Sequence, residues 1–459
     1  MFVGRTEELG YLDEISKKNG PQCLILYGPN RIGKTELLKR YFKGKMSFFY
    51  SSAPCKKRDQ MEQFHQRILS VVSDSRLSAT AHFSWEEMFS YIFSDLGRKL
   101  SFIVIDEFSQ LCAEDQKLPL LLRRLWDKPG KRQDMLLVIS CSDVSFVKET
   151  LLKSKESFGD EKCHRLELTP LKFEAIDFFF PDYSLQEKVY CYAAVGGIPG
   201  YLRVFDRKKT LEQNIKNEIF DIDSFMFREP SLLLQSKLRE PHLYFSILHA
   251  IACGNNRLRE IAEKTGVHKT ATLNKYLYVL RNLDFIKRIV PVTEKDAAKS
   301  RKGMYFFQDA YFRFWFRYIF PNMSYLEMKE QDIVWKRFLR PDSDAFVEET
   351  FVDICIQRLM RLNRYKRLPI EAQKIGRWWD RTNKIDVVSF TEKDEYLFCD
   401  CLWDGKRAGL TQMEELRRKA RRFPRSSRKY YGLFSKSGFT KELYEHARVH
   451  DDIILLNYY

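Results

Sequence analysis

The sequence predicts an α/β protein whose first half folds as a doubly wound parallel sheet, and three observations carry that reading. Short apolar runs near 22–27, 46–51, 101–106, 136–141 and 164–168 have the length of buried strands and alternate with helical patterns. The first run, QCLILY, passes straight into Gly28-Pro29-Asn30-Arg31-Ile32-Gly33-Lys34-Thr35 and then a helical ELLKRYF. The third, Phe102-Ile103-Val104-Ile105, ends in the carboxylates Asp106-Glu107. A sheet of this kind binds ligands at the carboxyl ends of its strands.

The loop after the first strand matches GxxxxGK[ST] in the strand–loop–helix setting that phosphate binding needs. Its glycines let backbone N–H groups converge on phosphate oxygens, helped by the positive end of the following helix. Gly28, Pro29, Asn30, Arg31, Ile32, Gly33, Lys34, Thr35 and Glu36 are therefore the predicted nucleotide cradle. Lys34 would bridge the β- and γ-phosphates of ATP, and the Thr35 hydroxyl would ligate Mg²⁺. Asp106 would hold that Mg²⁺ through water, and Glu107 would polarise the attacking water. Hydrolysis would thus rest on Lys34 and Glu107. The next strand, LLVISCS, should lie beside the Asp106 strand, leaving Ser142 either to sense the γ-phosphate or merely to turn the chain.

Composition bounds the remainder. A chain of 459 residues, 44% hydrophobic and 31% charged, has room for about three domains and is too apolar to be disordered. Its net charge of +16 is lopsided: residues 1–230 carry 35 basic and 33 acidic side chains, residues 231–459 carry 43 and 29. A polyanion-binding surface is therefore expected in the second half. No run approaches the ~18 apolar residues of a membrane span. MFVGRTEE lacks the apolar stretch of a secretory signal. Ten scattered cysteines without a CxxC pair read as reduced core thiols, which places the chain in the cytoplasm.

Beyond these motifs, FVGRTEEL resembles the nucleotide-flanking box of AAA+/STAND-type P-loop ATPases. ISCSDVSFVKETLL and VGGIPGYL at 195–202 resemble the archaeal-type ATPase family found in archaea and many bacteria. The resemblance covers essentially the whole chain in motif order. It implies a P-loop domain (1–175), a helical lid (176–235), a winged helix-turn-helix (236–310), a packing helix (311–340) and a restriction-endonuclease-like α/β domain (341–459). It further implies that Arg5 lies near the nucleotide, that Ser142 fills the sensor-1 position, and that Gly196-Gly197-Ile198-Pro199 is a lid motif touching nucleotide through Pro199. One departure is visible. Where the family often has a basic pair, Gly159-Asp160-Glu161-Lys162-Cys163-His164-Arg165 substitutes acid, implying slow turnover.

In the middle, HLYFSILHAIA, a second helix from Leu258, the turn Thr265-Gly266-Val267 and a third helix over about 269–283 have helix-turn-helix order. Leu273, Tyr276, Leu277 and Leu280 face the core at helical spacing, while Lys275 and Tyr278 face outward. Two strands, 285–292 and 304–308, flank a loop bearing Lys295, Lys299, Arg301 and Lys302. These residues are suited to duplex DNA, although such modules also serve as internal switches. The aromatic stretch 311–320 reads as a packing helix rather than a base-stacking platform.

Toward the end, Asp386 in KIDVVSF and Asp400 in YLFCDCLW lie on the two strands of a predicted hairpin, a possible Mg²⁺ site. The pattern resembles the PD-(D/E)XK nuclease fold with Leu402 where the catalytic lysine belongs, so Lys384 or Lys406 would have to substitute. Arg418, Arg421, Arg422 and Arg425 follow on a basic segment suited to phosphates. Glu414–Arg418 and Glu415–Lys419 have i,i+4 spacing. The leading reading is an ATP- and Mg²⁺-dependent switch coupled to double-stranded DNA, with homo-oligomerisation open. The alternatives are an ATP-regulated, Mg²⁺-dependent DNA endonuclease and a scaffold that holds ATP without hydrolysing it.

Overall fold

The computed structural model describes residues 2–71, 84–94, 96, 100–128, 134–424 and 427–459. The chain divides into two compact units, one of residues 1–170 with 198–200, the other of residues 171–197 with 201–459.

The first unit is built on β1 (Gln22–Tyr27), β2 (Ser47–Ser51), β3 (Phe102–Asp106), β4 (Leu136–Cys141) and β5 (Cys163–Glu167). Among the described residues they form one parallel sheet in the order β2-β3-β4-β1-β5. Each of the five predicted strand positions is within one residue of an observed strand. β4 is buried at every residue and β1 at all but its first. This is why both read as unbroken apolar runs instead of alternating ones. Phe48, Phe64, Trp85, Phe89 and Ile92 cover one side of the sheet, Phe64 packing edge-on against Phe48, Tyr50, Trp85 and Phe89. All ten cysteines are free thiols, including Cys23 and Cys163, which face each other across β1 and β5.

Early in the second unit lies helix Leu185–Val195, set by a Ser184–Glu187 capping box. Three helices, Pro241–Ala252, Leu258–Thr265 and Thr270–Asn282, precede the antiparallel pair β6 (Ile286–Ile289) and β7 (Met304–Phe307). Gly266 ends the second helix at φ +70°, where glycine relieves the strain of a left-handed cap. Leu273, Leu277 and Leu280 are buried as their spacing predicts, and Tyr276 is half-buried against Tyr244. The aromatic stretch 311–320 is core: Tyr311, Phe314, Trp315, Phe316, Tyr318 and Ile319 are buried. Its arginines are tied down, Arg313 to Glu349 at 2.9 Å and Arg317 to Asp342 at 2.6 Å.

Helix Arg340–Arg364 then leads to a mixed sheet in the order β12-β11-β10-β9-β8. β8 (Lys374–Trp379), β9 (Lys384–Phe390) and β10 (Tyr396–Leu402) form an antiparallel meander. β11 (Lys429–Ser435) and β12 (Ile453–Leu456) continue in parallel through crossover helices Leu410–Ala420 and Lys441–Val449. The loop between β6 and β7 is anchored to β8. Val292 N–H donates to Arg377 carbonyl at 2.9 Å, and the Trp379 indole donates to Lys302 carbonyl at 2.9 Å.

Asp309 caps the aromatic helix by accepting from Tyr311 N–H at 2.8 Å. Burial, reinforced by Glu229, pushes its carboxyl up to about 7. The folded chain therefore keeps a proton that the unfolded chain has released, so stability falls as pH rises from the ordinary carboxylate range toward 7. Asp309→Asn, which can still accept from Tyr311, is expected to flatten the decline in Tm between pH 4 and 8. A decline as steep as in the parent chain would contradict this.

Candidate functional site

The loop between β1 and helix Lys34–Phe42 holds three residues with positive φ: Gly28 at +154°, Arg31 at +62° and Gly33 at +96°. A Cβ at Gly28 would lie 2.5 Å from the Leu168 carbonyl oxygen, so the loop can pass β5 only with glycine there. Lys34 is only 4% exposed, and its ammonium donates to the carbonyls of Gly28 and Pro29 at 2.9 and 3.1 Å. Burial lowers its pKa, while Glu107 and Asp106 pull the other way. An ammonium buried without a paired carboxylate is set to take an anionic partner.

At the sheet edge, Thr35 Oγ1 donates to Asp106 Oδ2 at 2.7 Å, across 71 positions of sequence. Asp106 is completely buried and also accepts from Glu107 N–H at 3.1 Å. Hydroxyl and carboxylate are neighbouring hard oxygen donors, which suits Mg²⁺ once phosphate and water complete its shell. Glu107 sits at φ +54°, a strained conformation for a side chain of this size. Its carboxylate is clasped by Ser142: the hydroxyl donates to Oε1 and the backbone N–H to Oε2 at 3.3 Å. Ser142 is thus more than a turn residue.

Two segments outside the loop brace it. Arg5, buried and left-handed at φ +67°, donates to the Ile32 carbonyl at 3.1 Å and pairs with Glu8 at 2.8 Å. Gly200, directly after Pro199, donates its N–H to the Arg31 carbonyl at 3.1 Å. A Cβ there would lie 2.4 Å from that of Arg31. Arg5 and Gly200 therefore bear on the loop's backbone, with Asn30 and Glu36 on the same loop and helix. The acid that interrupts the expected basic pair has its own partner, for Asp160 makes a two-pronged bond with Arg123 at 2.7 and 3.0 Å.

Among the candidate DNA-contact residues, Lys275 and Tyr278 are exposed on helix Thr270–Asn282. On the β6–β7 loop Arg301 is exposed, Lys299 is exposed but reaches Asp296 at 3.6 Å, and Lys302 pairs with Glu294 at 2.8 Å. Arg421 is exposed, and Arg425 lies outside the described residues. Two sequence pairings need correction. Arg418 pairs with Glu415 at 2.8 Å rather than Glu414, and Lys419 turns away from Glu415 to Asp400 at 2.8 Å. Arg422 is not without a partner, approaching Asp380 at 3.9 Å. Lys429 caps the preceding helix by donating to the Ala420 and Phe423 carbonyls.

The hairpin carboxylates do come together. Asp386 Oδ2 accepts from Cys401 N–H at 2.9 Å, and Asp400 Oδ1 accepts from Asp386 N–H at 3.4 Å. Lys384 pairs with Asp386 at 2.9 Å, whereas Lys406 makes no ion pair with either carboxylate. Lys419 is the residue that sequence spacing missed, because its partner lies on a strand and not on its own helix. Burial, and then Asp386, push the Asp400 carboxyl up. No group of three or more His, Cys, Asp or Glu among the described residues is placed to hold a metal ion, and no helix among them is long and apolar enough to cross a membrane.

The comparisons with known proteins bear on this geometry. Residues 2–205 match a family described as an ATPase domain predominantly from Archaea, and residues 315–416 one described as archaeal and bacterial proteins of unknown function. The uncharacterized protein MJECL04 of Methanocaldococcus jannaschii is 33% identical over 446 residues, covering 96% of this chain and 97% of that protein. The chain belongs to that family. It is an archaeal-type P-loop ATPase with a separate C-terminal α/β sheet. Among solved structures, the Walker-type ATPase PABY2304 of Pyrococcus abyssi is 20% identical with a TM-score of 0.49, covering 69% of this chain and 96% of that one. The Aeropyrum pernix ORC2 protein is 13% identical with a TM-score of 0.46, covering 71% and 94%.

For this ATPase, Gly200→Ala is expected to weaken ATP binding by about fivefold or more, since overpacking costs ~1–3 kcal/mol. Titration with a fluorescent ATP analogue measures this, and unchanged affinity would show that the Gly200 contact does not shape the loop.

Proposed function

We propose that the chain is an ATP- and Mg²⁺-dependent switch whose nucleotide state governs binding to double-stranded DNA. The observation that carries the reading is the Glu107–Ser142 clasp beside the Thr35–Asp106 pair. Thr35 and Asp106 would hold Mg²⁺, which would neutralise charge on the β- and γ-phosphates; Lys34 would leave its loop carbonyls for those phosphates. Glu107 accepts from Ser142 at both oxygens, which fixes the orientation of its carboxylate, and a γ-phosphate that claims the Ser142 hydroxyl would release Oε1 toward the attacking water. The need to exchange that bond before water is activated is in keeping with slow hydrolysis. Lys34→Ala is expected to abolish ATP binding. Glu107→Gln should keep binding and lose at least ~100-fold in turnover, as for a general base. Normal ATP binding in the first, or normal turnover in the second, would overturn this assignment.

On the DNA side, we infer that residues 241–307 are a winged helix. Three helices followed by an antiparallel pair, with Lys275 and Tyr278 exposed on the third helix, support this. Lys299, Arg301, Arg421 and Arg418 would supply phosphate contacts. Duplex affinity measured by anisotropy should fall steeply between 50 and 200 mM salt, and a flat response would remove the basic half from the account. One observation favours the endonuclease reading. Lys419 brings to Asp400 the cation that Leu402 does not supply. Mg²⁺-dependent plasmid nicking that both Asp386→Ala and Lys419→Met abolish would establish it; equal nicking by the variants would reject it.

A further inference from the structure

The second unit contains a cavity of about 380 Å³ that is neither sealed nor flat. It lies where four helical faces meet without filling the space between them. Glu187, Tyr190 and Ala194 share one face of helix Leu185–Val195, at spacings of three and four. Leu211 and Ile215, then Phe314 and Tyr318, then Trp335 and Leu339 each line it at i,i+4 spacing. Phe346 and Val347, one and a bit turns into the long helix, close the floor.

Protein interiors rarely leave voids larger than a water molecule, and a ligand pocket is typically an apolar cleft of ~300–1,000 Å³. Here Phe314, Tyr318 and Phe346 are buried, and the half-buried Trp335 stands as a fourth ring. With the half-buried Tyr190, five aromatic side chains around one space are suited to edge-on or offset contact with another flat ring.

The polar groups on the lining decide what kind of ring. Most are already engaged; Arg340 makes no ion pair among the described residues but is exposed, so its pull on an anion is screened by water. The Tyr318 hydroxyl donates to Asp342 at 2.7 Å and the Tyr190 hydroxyl to Asp344. Glu187 accepts from Ser184, and Thr210 accepts from Gln213 N–H at 3.2 Å. Glu212 is held by Lys216, which also reaches Asp332 at 2.6 Å and lies 5.8 Å over the Trp335 ring. Carbon surface is what the cavity offers. A charged ligand would be desolvated against it with little in return.

We propose that this cavity is a binding site for a small, uncharged, planar aromatic molecule. The assignment is independent of the ATPase reading, since it concerns helices of the second unit alone. The test uses the full chain and three probes with one ring system: indole, the ammonium tryptamine and the carboxylate indole-3-acetate. Isothermal titration is expected to show saturable indole binding at least tenfold tighter than either charged analogue. Ala194→Phe fills the cavity from one helix and should weaken indole binding at least tenfold. Val347→Phe fills it from another, and circular dichroism and Tm identify which variants remain folded. No saturable indole binding to the parent chain, equal binding of a charged analogue, or unchanged indole affinity in a folded filling variant would each overturn the proposal.

Discussion

The first unit depends on one constraint: the carbonyls of the β1–helix loop are tied back by donors that reach them from three directions. Arg5 holds the Ile32 carbonyl, Gly200 N–H holds the Arg31 carbonyl, and Lys34 occupies those of Gly28 and Pro29. The bonds converge from the N-terminus, from residues 198–200 and from within the loop. Together they hold the loop's backbone against the start of helix Lys34–Phe42, whose positive end favours an anion. The sheet supplies the other half of the constraint. Parallel pairing of β3 with β4 brings Asp106, Glu107 and Ser142 to the same carboxyl edge.

This edge was legible in the sequence because its signals are local. A buried parallel strand must be continuously apolar, and a phosphate loop favours glycine at positive φ, as at Gly28 and Gly33, though Arg31 adopts it too. The Asp106-Glu107 pair was legible from the strand it ends. What did not show was the clasp between Glu107 and Ser142, since 35 positions separate partners whose meeting depends on strand order. Nor did the role of Gly200 show, because only the approach of Arg31 forbids a side chain there.

In the second unit the limits were of another kind. Helical spacing placed Leu273, Leu277 and Leu280 correctly, and eight apolar residues in the 311–320 stretch correctly meant core. Charge was harder to read. Lys419 has a helical neighbour, Glu415, yet serves Asp400 on a strand, and Lys429 at the start of β11 caps a helix end. Tertiary partners a few ångströms away outcompete i,i+4 neighbours whose pairing is worth only ~0.5 kcal/mol. The surplus of positive charge in residues 231–459 is therefore partly internal wiring. The part left for a polyanion is narrower than composition implied, centring on Lys275, Tyr278, Lys299, Arg301 and Arg421.

The account joins a nucleotide site at one sheet edge to that basic surface, and coupling between two sites is reciprocal: each ligand must change the other's affinity by the same factor. The most direct measurement is the Kd of the full chain for a duplex with Mg²⁺ and a non-hydrolysable ATP analogue, with Mg²⁺-ADP, and with no nucleotide. The account predicts that the three values differ by at least ~5-fold, a coupling of about 1 kcal/mol. Equal duplex affinity in all three conditions, with the nucleotide shown to be bound, would contradict it.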